Sequence, residues 1–136
     1  MKTFIFLLNY LLLFTIISCE PLCGNDIIYT KTITGTKYKI VVFQRDCGAT
    51  TGFSTQASII EKNGKLPNES GNIFIADTDH GKAPRGPGGG PELQVKIING
   101  KLIRFSYHEN ARVFLKKKLF GEIKIEYKTT KQIEHL

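Results

Sequence analysis

The segment Tyr-Lys-Ile-Val-Val-Phe at residues 38–43 decides the fold class of this chain. Successive side chains of an extended segment point to opposite faces, and β-branched residues favour that conformation. Here both faces are apolar, with Ile40 and Val42 on one face and Val41 and Phe43 on the other. Because a strand of this kind is buried on both sides, the pattern predicts a central strand of a sheet.

Further strand patterns extend from this segment along the rest of the chain. Alternation of apolar and polar residues recurs at 53–60, 72–76, 93–97, 103–107 and 123–127. We therefore predict an all-β fold, a single antiparallel domain of about six or seven strands, built as a small sandwich or a strongly curved sheet.

Turn residues agree with this prediction. Asn99-Gly100 separates two strand segments by two residues, which is the strongest short signal for a hairpin. Asn63-Gly64 follows 53–60 in the same way. The segment 109–118 fits one helical turn or an extended run equally well, and sustained helical periodicity with capping residues is absent from the sequence.

The first residues have the layout of a secretory signal. Lys2 supplies a positive charge, and the apolar run at 4–17 is shorter than the about 20 residues that a transmembrane helix needs. The run closes with Ile16-Ile17-Ser18-Cys19, which resembles the lipobox of a bacterial lipoprotein. That resemblance implies cleavage before Cys19 and a diacylglyceryl thioether on its sulfur, and two or three acyl chains give a stable membrane anchor.

The leader sets the predicted organisation and compartment. We predict a lipoprotein-type signal peptide at 1–18, a lipid-anchored tether at 19–26 and a β-rich domain at 27–136, held at the bacterial cell envelope and facing the periplasm or the cell exterior. Glu20 weakly favours the outer membrane if the host has two membranes. Ordinary secretion and an uncleaved anchor remain as alternatives.

The charge of the chain restricts its partners. The sequence has 136 residues, with 19 Lys and Arg against 12 Asp and Glu, and residues 19–136 carry a net charge of +6. Such a balance suits an anionic membrane, an acidic partner or nucleic acid. Nucleic acid is not expected, because RNA-binding motifs and zinc-finger spacing are absent from the sequence. The densest basic cluster, 116–118, fits either a solvated turn or a contact with anionic headgroups.

Two cysteines remain once Cys19 carries the lipid. In an oxidising compartment the pair Cys23 and Cys47 favours a disulfide, which stabilises by about 3 kcal/mol in the chain-entropy model. Two reduced cysteines that never meet are the alternative.

The polar segment 45–55 is longer than a simple hairpin connection needs. It is either a disulfide-pinned loop with hydroxyl groups capping its backbone or a binding loop. Our candidate binding residues here are Arg45, Asp46, Thr50 and Thr51.

A second candidate is the segment that contains Asp77, Asp79 and His80. Oxygen ligands at alternate sequence positions are typical of a calcium-binding loop, and a histidine beside aspartates is typical of a transition-metal site. However, the twelfth position of a calcium loop starting at Asp77 is Gly88 rather than glutamate, and closed zinc spacing is absent from the sequence. We therefore predict binding residues but neither a metal nor a cofactor.

The segment 81–91 is rich in glycine and proline. It does not end in the Gly-Lys-Ser/Thr of a phosphate-binding loop, and its three prolines lack amide donors. The remaining interpretations are a long exposed loop and a surface for close backbone packing.

His108 ends a strand segment beside Glu109 and is the last candidate binding residue. A Cys–His–Asp hydrolase can be drawn from Cys47, His108 and either Asp77 or Asp79. The spacing of these residues does not require that mechanism, and a disulfide would consume the thiol.

Several of these segments together resemble an uncharacterised family of small bacterial envelope lipoproteins. The segments are 37–39, 41–56, 77–81, the glycine-rich loop through 91–92, and 106–108. The resemblance implies an envelope compartment and one intact domain, and it supplies no reaction.

We predict a lipid-anchored binding or structural module of the cell envelope. Its membrane contact is the lipidated Cys19, and its partner is another envelope protein or an anionic surface. The alternatives are an envelope Cys–His hydrolase and a secreted effector or immunity-type protein that binds an acidic partner.

Overall fold

The computed structural model describes residues 22–48 and 51–132, and this part of the chain is all-β, as predicted. It contains nine strands, more than the sequence patterns revealed. They are β1 (Gly24–Thr32), β2 (Tyr38–Asp46), β3 (Ser54–Glu61), β4 (Phe74–Asp77), β5 (Leu93–Asn99), β6 (Leu102–His108), β7 (Arg112–Lys116), β8 (Leu119–Phe120) and β9 (Ile123–Thr130).

The strands form two sheets that pack as a sandwich. The five-stranded sheet has the order β1-β2-β3-β4-β7, and the four-stranded sheet has the order β5-β6-β9-β8. β2 lies inside the first sheet, as the segment 38–43 predicts. β5 and β6 form the hairpin that Asn99-Gly100 predicts.

Neighbouring strands are antiparallel except β6 and β9, which pair in parallel. Parallel neighbours need a crossover connection. Here β7 provides it: the chain leaves the four-stranded sheet after β6, runs back along the edge of the five-stranded sheet, and returns through β8 to β9.

The core lies between the inner faces of the two sheets, and the ring of Phe74 connects them. From β4, Phe74 contacts Phe105 of β6 at 6.0 Å, Tyr107 of β6 at 5.2 Å and Tyr127 of β9 at 6.0 Å between ring centroids. Phe74 and Phe105 are fully buried. The other fully buried aliphatic side chains of this core are Ile33, Ile40, Ala57, Ile73, Ala76 and Ile103.

The outer face of the five-stranded sheet is also buried, because residues 62–72 lie across it. We call these residues the covering segment. The Gly71 amide donates to Gln56 Oε1 at 2.6 Å, and Lys39 Nζ donates to the Gly64 carbonyl at 2.8 Å. As a result, Val41 and Phe43 on this outer face are no more than 1% exposed. This second layer explains why the sequence of β2 is apolar on both sides.

Side chains of β1 protect the open edge of β5. The Tyr29 hydroxyl donates to the Leu93 carbonyl, and Lys31 Nζ donates to the Val95 carbonyl, both at 2.6 Å. Unpaired carbonyl groups on an edge strand are a site for aggregation, and these two bonds occupy them. Burial at this contact raises the pKa of the Tyr29 hydroxyl above its ordinary value.

One boundary prediction needs correction, and one open alternative is decided. β1 begins at Gly24, so the last three residues of the predicted tether, 24–26, belong to the sheet. Their pairing with β2 continues from the disulfide outward, which holds them in an extended strand. The segment 109–118, left open between helix and strand, contains the extended strand β7. The signal peptide at 1–18 and Cys19 lie outside the described residues.

Candidate functional site

The predicted disulfide is present, and it marks one end of the sandwich. Cys23 Sγ and Cys47 Sγ are bonded, with an S–S distance of 2.03 Å. The bridge lies directly beyond the pair Gly24 and Asp46, where β1 begins and β2 ends. We call this the disulfide end. Since the Cys47 sulfur is bonded to Cys23, it is not available as the nucleophile of the alternative hydrolase.

Strand register assembles a row of polar residues at the disulfide end. Asn25, Arg45, Ser54, Asp77 and Arg112 stand opposite one another across five neighbouring strands. Adjacent strands are about 4.8 Å apart, so Arg45 and Asp77, two strands apart, are separated by about 10 Å. The sequence does not reveal this row, because each residue comes from a different strand.

Arg45 holds the covering segment in place. Its Nη1 donates to Asn25 Oδ1 at 2.7 Å and to Asn68 Oδ1 at 3.2 Å. Asn68 in turn donates through Nδ2 to the Cys23 carbonyl at 2.9 Å. These bonds join the first residues of β1, the end of β2 and the covering segment, so this predicted binding residue has a structural role.

Asp77 and Asp79 belong to a cluster of alternating charges. Arg112 donates to both carboxylate oxygens of Asp77, at 3.1 and 2.5 Å, and Lys82 Nζ donates to Asp79 Oδ2 at 2.7 Å. The bond from Lys82 is the main reason that the pKa of Asp79 is lowered, and the bond to Asp77 raises the pKa of Arg112. The two carboxylates are therefore paired with two cationic side chains of the same chain, Arg112 and Lys82.

This cluster fixes a strained turn rather than a metal. Asp79 and His80 have positive φ angles of 48° and 58°, which non-glycine residues adopt rarely. The Asp79 amide donates to Asp77 Oδ1 at 2.8 Å, which stabilises the turn. His80 is exposed. Over residues 22–48 and 51–132, three or more metal-ligating side chains do not come together.

The segment after β2 makes its own local hydrogen bonds. Asp46 Oδ1 accepts from the Gly48 amide at 2.9 Å, and the Gly48 carbonyl accepts from the Thr51 amide and hydroxyl, both at 3.1 Å. The segment is thus a disulfide-pinned turn in which Asp46 and Thr51 cap the backbone. Thr50 lies outside the described residues.

His108 caps a turn at the same end of the molecule. It is 8% exposed, and its Nδ1 accepts from the Asn110 amide at 3.1 Å. Asn110 Nδ2 reaches the Lys82 carbonyl at 3.4 Å, which places this turn beside the cluster of Asp79. The structure therefore brings His108 close to the 77–82 segment, but the carboxylates there pair with Arg112 and Lys82.

The glycine-rich loop packs closely against the five-stranded sheet, the second of its two predicted roles. Gly90 is buried, and a Cβ added there would lie 2.5 Å from Thr55 Oγ1 and 2.6 Å from Thr55 N. A Cβ at Gly88 would lie 2.7 Å from Ile28 Cδ1. Glycine is needed at position 90 because the backbone of β3 fills the space that a side chain would take, whereas the atom nearest to a Cβ at Gly88 is the flexible end of a side chain.

Gly90→Ala is expected to lower the free energy of unfolding by about 1–3 kcal/mol, because the new methyl group overpacks a site with no room for it. Urea denaturation measures the change. Gly52→Ala is the matched control, since a Cβ there meets no atom within 4 Å, and its expected effect is below about 0.5 kcal/mol. Equal effects of the two substitutions would contradict the assigned packing role.

The exposed face of the four-stranded sheet carries a group of cations that the sequence analysis missed. We use the name basic sheet face for Lys96, Arg104, Lys124 and Lys128 on its strands together with Lys131, which follows β9 and lines the adjoining groove. Lys96 and Arg104 pair across β5 and β6, and Arg104 pairs with Glu126 of β9. The alternation of β5, β6 and β9 placed the cations of these strands at polar positions. The parallel pairing of β6 with β9, which brings the cations onto one face, was not predictable from alternation.

A groove of about 1320 Å³ runs along β5 beside this face. Lys96, Arg104, Lys128 and Lys131 are among its lining residues, together with Glu92. Glu126 forms ion pairs with Arg104 at 3.2 Å and with Lys124 at 3.5 Å. A cationic groove of this kind is suited to binding anionic groups.

No protein-family model, curated protein or solved structure matches this chain. In the part that the structure describes, no helix has both the length and the apolar character to cross a bilayer.

Proposed function

We propose that this chain is a lipid-anchored binding module of the bacterial cell envelope. The observation that carries the proposal is the position of the Cys23–Cys47 disulfide, four residues after the lipobox cysteine Cys19. Structural disulfides form in oxidising compartments, which include the periplasm and the cell surface. A leader with a lipobox leads to the same compartment. The two features are independent, because one is a targeting signal and the other a tertiary contact.

The short distance between the anchor and the first strand supports a domain held close to the membrane. β1 begins at Gly24, five residues after Cys19. An extended chain of five residues spans at most about 17 Å. The disulfide then fixes the start of β1 to the end of β2, so the anchor is connected to the sandwich without a long linker.

The interaction surface that we propose consists of segments 45–56 and 77–92. Both lie at the disulfide end, where strand register brings Ser54 opposite Asp77 and Asn110 contacts Lys82. Asp77, Asp79 and Lys82 there form ion pairs, and Arg45 and Asp46 form hydrogen bonds within the domain. Binding through this end therefore uses its shape and the exposed Phe53, which is 40% exposed, more than free charges.

A specific observation also favours the secreted alternative. The basic sheet face supplies the cationic surface with which a secreted protein would bind an acidic partner. The two candidate functions differ in the fate of Cys19, and one measurement separates them.

The test is mass analysis of the N-terminal peptide of the full chain, recovered from a bacterial host. Wild type is expected in the membrane fraction with a diacylglyceryl group on the Cys19 sulfur. Cys19→Ser is expected to lose this mass, because serine lacks the sulfur that forms the thioether. Ser18→Ala is the control, since it keeps a small residue before the cysteine and is expected to retain the lipid. An unmodified Cys19 at the wild-type N-terminus would refute the proposal.

A further inference from the structure

The two outer faces of the sandwich differ in what lies on them. The covering segment lies across the outer face of the five-stranded sheet and buries Val41 and Phe43. The outer face of the four-stranded sheet has no such layer among the described residues, and side chains such as Lys96, Lys124 and Lys128 are exposed there. The sandwich therefore has one covered face and one open, charged face.

The charges on the open face are unbalanced. Five cations form the basic sheet face, and Glu126 pairs with two of them, Arg104 and Lys124. Within the described part of the chain, Lys96, Lys128 and Lys131 form no ion pair. Register places Lys96 beside Arg104, and it places Lys128 beside Ser106 one row further along. The result is an array of cations in two neighbouring rows of one sheet.

We propose that the basic sheet face rests on the anionic lipid headgroups of the membrane that holds the chain, so that the sandwich lies on its side. This inference rests on the proposed function, because it takes the lipid anchor at Cys19 as given. An exposed cationic sheet face on an anchored domain is held at a high local concentration of headgroups, and basic residues near an anionic membrane surface are attracted to it.

The reach of the tether permits this orientation. Cys23 starts the five-stranded sheet, and packed sheets are separated by about 10 Å. The four residues from Cys19 to Cys23 span at most about 14 Å, which exceeds the separation of about 10 Å between the backbones of the two sheets. The lipid can therefore enter the bilayer while the four-stranded sheet lies against its surface.

The cluster at 116–118 is less suited to the same contact. Arg112 lies at the disulfide end, and the chain extends away from it through β7. Lys118 is six residues further along, which places it about 20 Å from the anchored end. The cluster connects β7 of the five-stranded sheet to β8 of the four-stranded sheet, so it lies at the edge of the sandwich and not on the basic sheet face. The sequence alone singled it out because its three lysines are consecutive.

The test is lysine footprinting by acetylation, with the chain purified in the form that the cell makes and mixed with or incorporated into vesicles. Vesicles of phosphatidylglycerol and phosphatidylcholine are compared with vesicles of phosphatidylcholine alone. Lys96, Lys128 and Lys131 are expected to be acetylated at least about threefold more slowly on the anionic vesicles. Lys62 and Lys65, near the opposite face, are expected to react equally on both. Protection of Lys82 or of residues 116–118 in place of the basic sheet face would overturn the inference.

Two variants with the same change in net charge sharpen the test. Lys96→Gln/Lys128→Gln/Lys131→Gln removes three charges from the basic sheet face, and protection of the remaining Lys124 is expected to fall to its value on neutral vesicles. Lys116→Gln/Lys117→Gln/Lys118→Gln removes three charges elsewhere and is expected to leave Lys124 protected. An equal loss in both variants would assign the contact to net charge and overturn the inference. Equal melting temperatures confirm that both variants are folded.

The mass of the N-terminal peptide in the same sample separates the two proposals. A lipidated Cys19 without protection of the basic sheet face would refute this inference and leave the proposed function intact. An unmodified Cys19 would refute the proposed function. If Cys19 is unmodified, protection of the basic sheet face on anionic vesicles would still support a direct contact with the headgroups. Equal acetylation of this face on both vesicle types would refute that contact.

Discussion

Phe74→Ala is expected to lower the free energy of unfolding by about 3–5 kcal/mol. Phe74 is fully buried, and its ring contacts Phe105, Tyr107 and Tyr127 of the opposite sheet. Truncation removes these three ring contacts between the sheets and leaves a cavity in a close-packed core. Because domains of this size are stable by only about 5–15 kcal/mol, the variant is expected to unfold at a much lower urea concentration.

Phe114→Ala is the matched control for this measurement. Phe114 lies on β7, is 60% exposed, and has Arg112 over its ring at 5.1 Å. The same chemical change there is expected to cost less than about 1 kcal/mol, because little buried area is lost. If the two variants unfolded at similar urea concentrations, Phe74 would not be the connection between the sheets that its contacts indicate.

Removal of the disulfide is expected to cost about 3 kcal/mol of stability. Cys23 and Cys47 are 24 residues apart in sequence, and opening a loop of this size increases the conformational entropy of the unfolded chain. Urea denaturation of the wild type with and without a reducing agent measures the loss. The Cys23→Ser/Cys47→Ser variant is expected to match the reduced wild type.

That double variant also provides the control. The reducing agent is expected to leave its denaturation curve unchanged, since it contains no bridge to reduce. A reduced wild type as stable as the oxidised protein would show that β1 is held by its pairing with β2 alone. It would also remove the physical reason for connecting the anchored N-terminus rigidly to the sandwich.

The disulfide bears on function as well as stability. It fixes the start of β1 at the end of the molecule that also carries Arg45, Asp77 and His108. A membrane anchor at Cys19 would therefore hold this end near the bilayer. With the basic sheet face on the headgroups, the disulfide end points along the membrane plane and stays open to another envelope component.

Several elements were predictable because their signals are local. The two apolar faces of 38–43 predicted the central strand β2, and Asn99-Gly100 predicted the hairpin of β5 and β6. β1 escaped detection because a register irregularity between Ile27 and Tyr29 breaks its alternation. β8 has two residues, which is too short for any periodic pattern.

The candidate site was predictable only in part. Asp77, Asp79 and His80 were recognised as chemically capable residues, but their partners Arg112 and Lys82 were not. For Arg112 the missing information was the pairing of β4 with β7, since Arg112 and Asp77 are 35 residues apart in sequence. Lys82 lies three residues after Asp79, but the turn that joins the two was not predicted. Without those cations, two neighbouring carboxylates resemble a metal site. With them, the carboxylates hold a turn.

The sequence by itself determined the all-β class, the central strand, the pair of cysteines that form the bridge and a leader that resembles a lipobox. These properties depend on composition, alternation and spacing within a few residues, so they can be recognised from the sequence alone. The tertiary structure alone decided which face is covered, which carboxylates meet cations, and that five cations from β5, β6 and the region of β9 share one surface. Those outcomes depend on strand order and register, which are set by burying both sheets against each other and not by any local pattern.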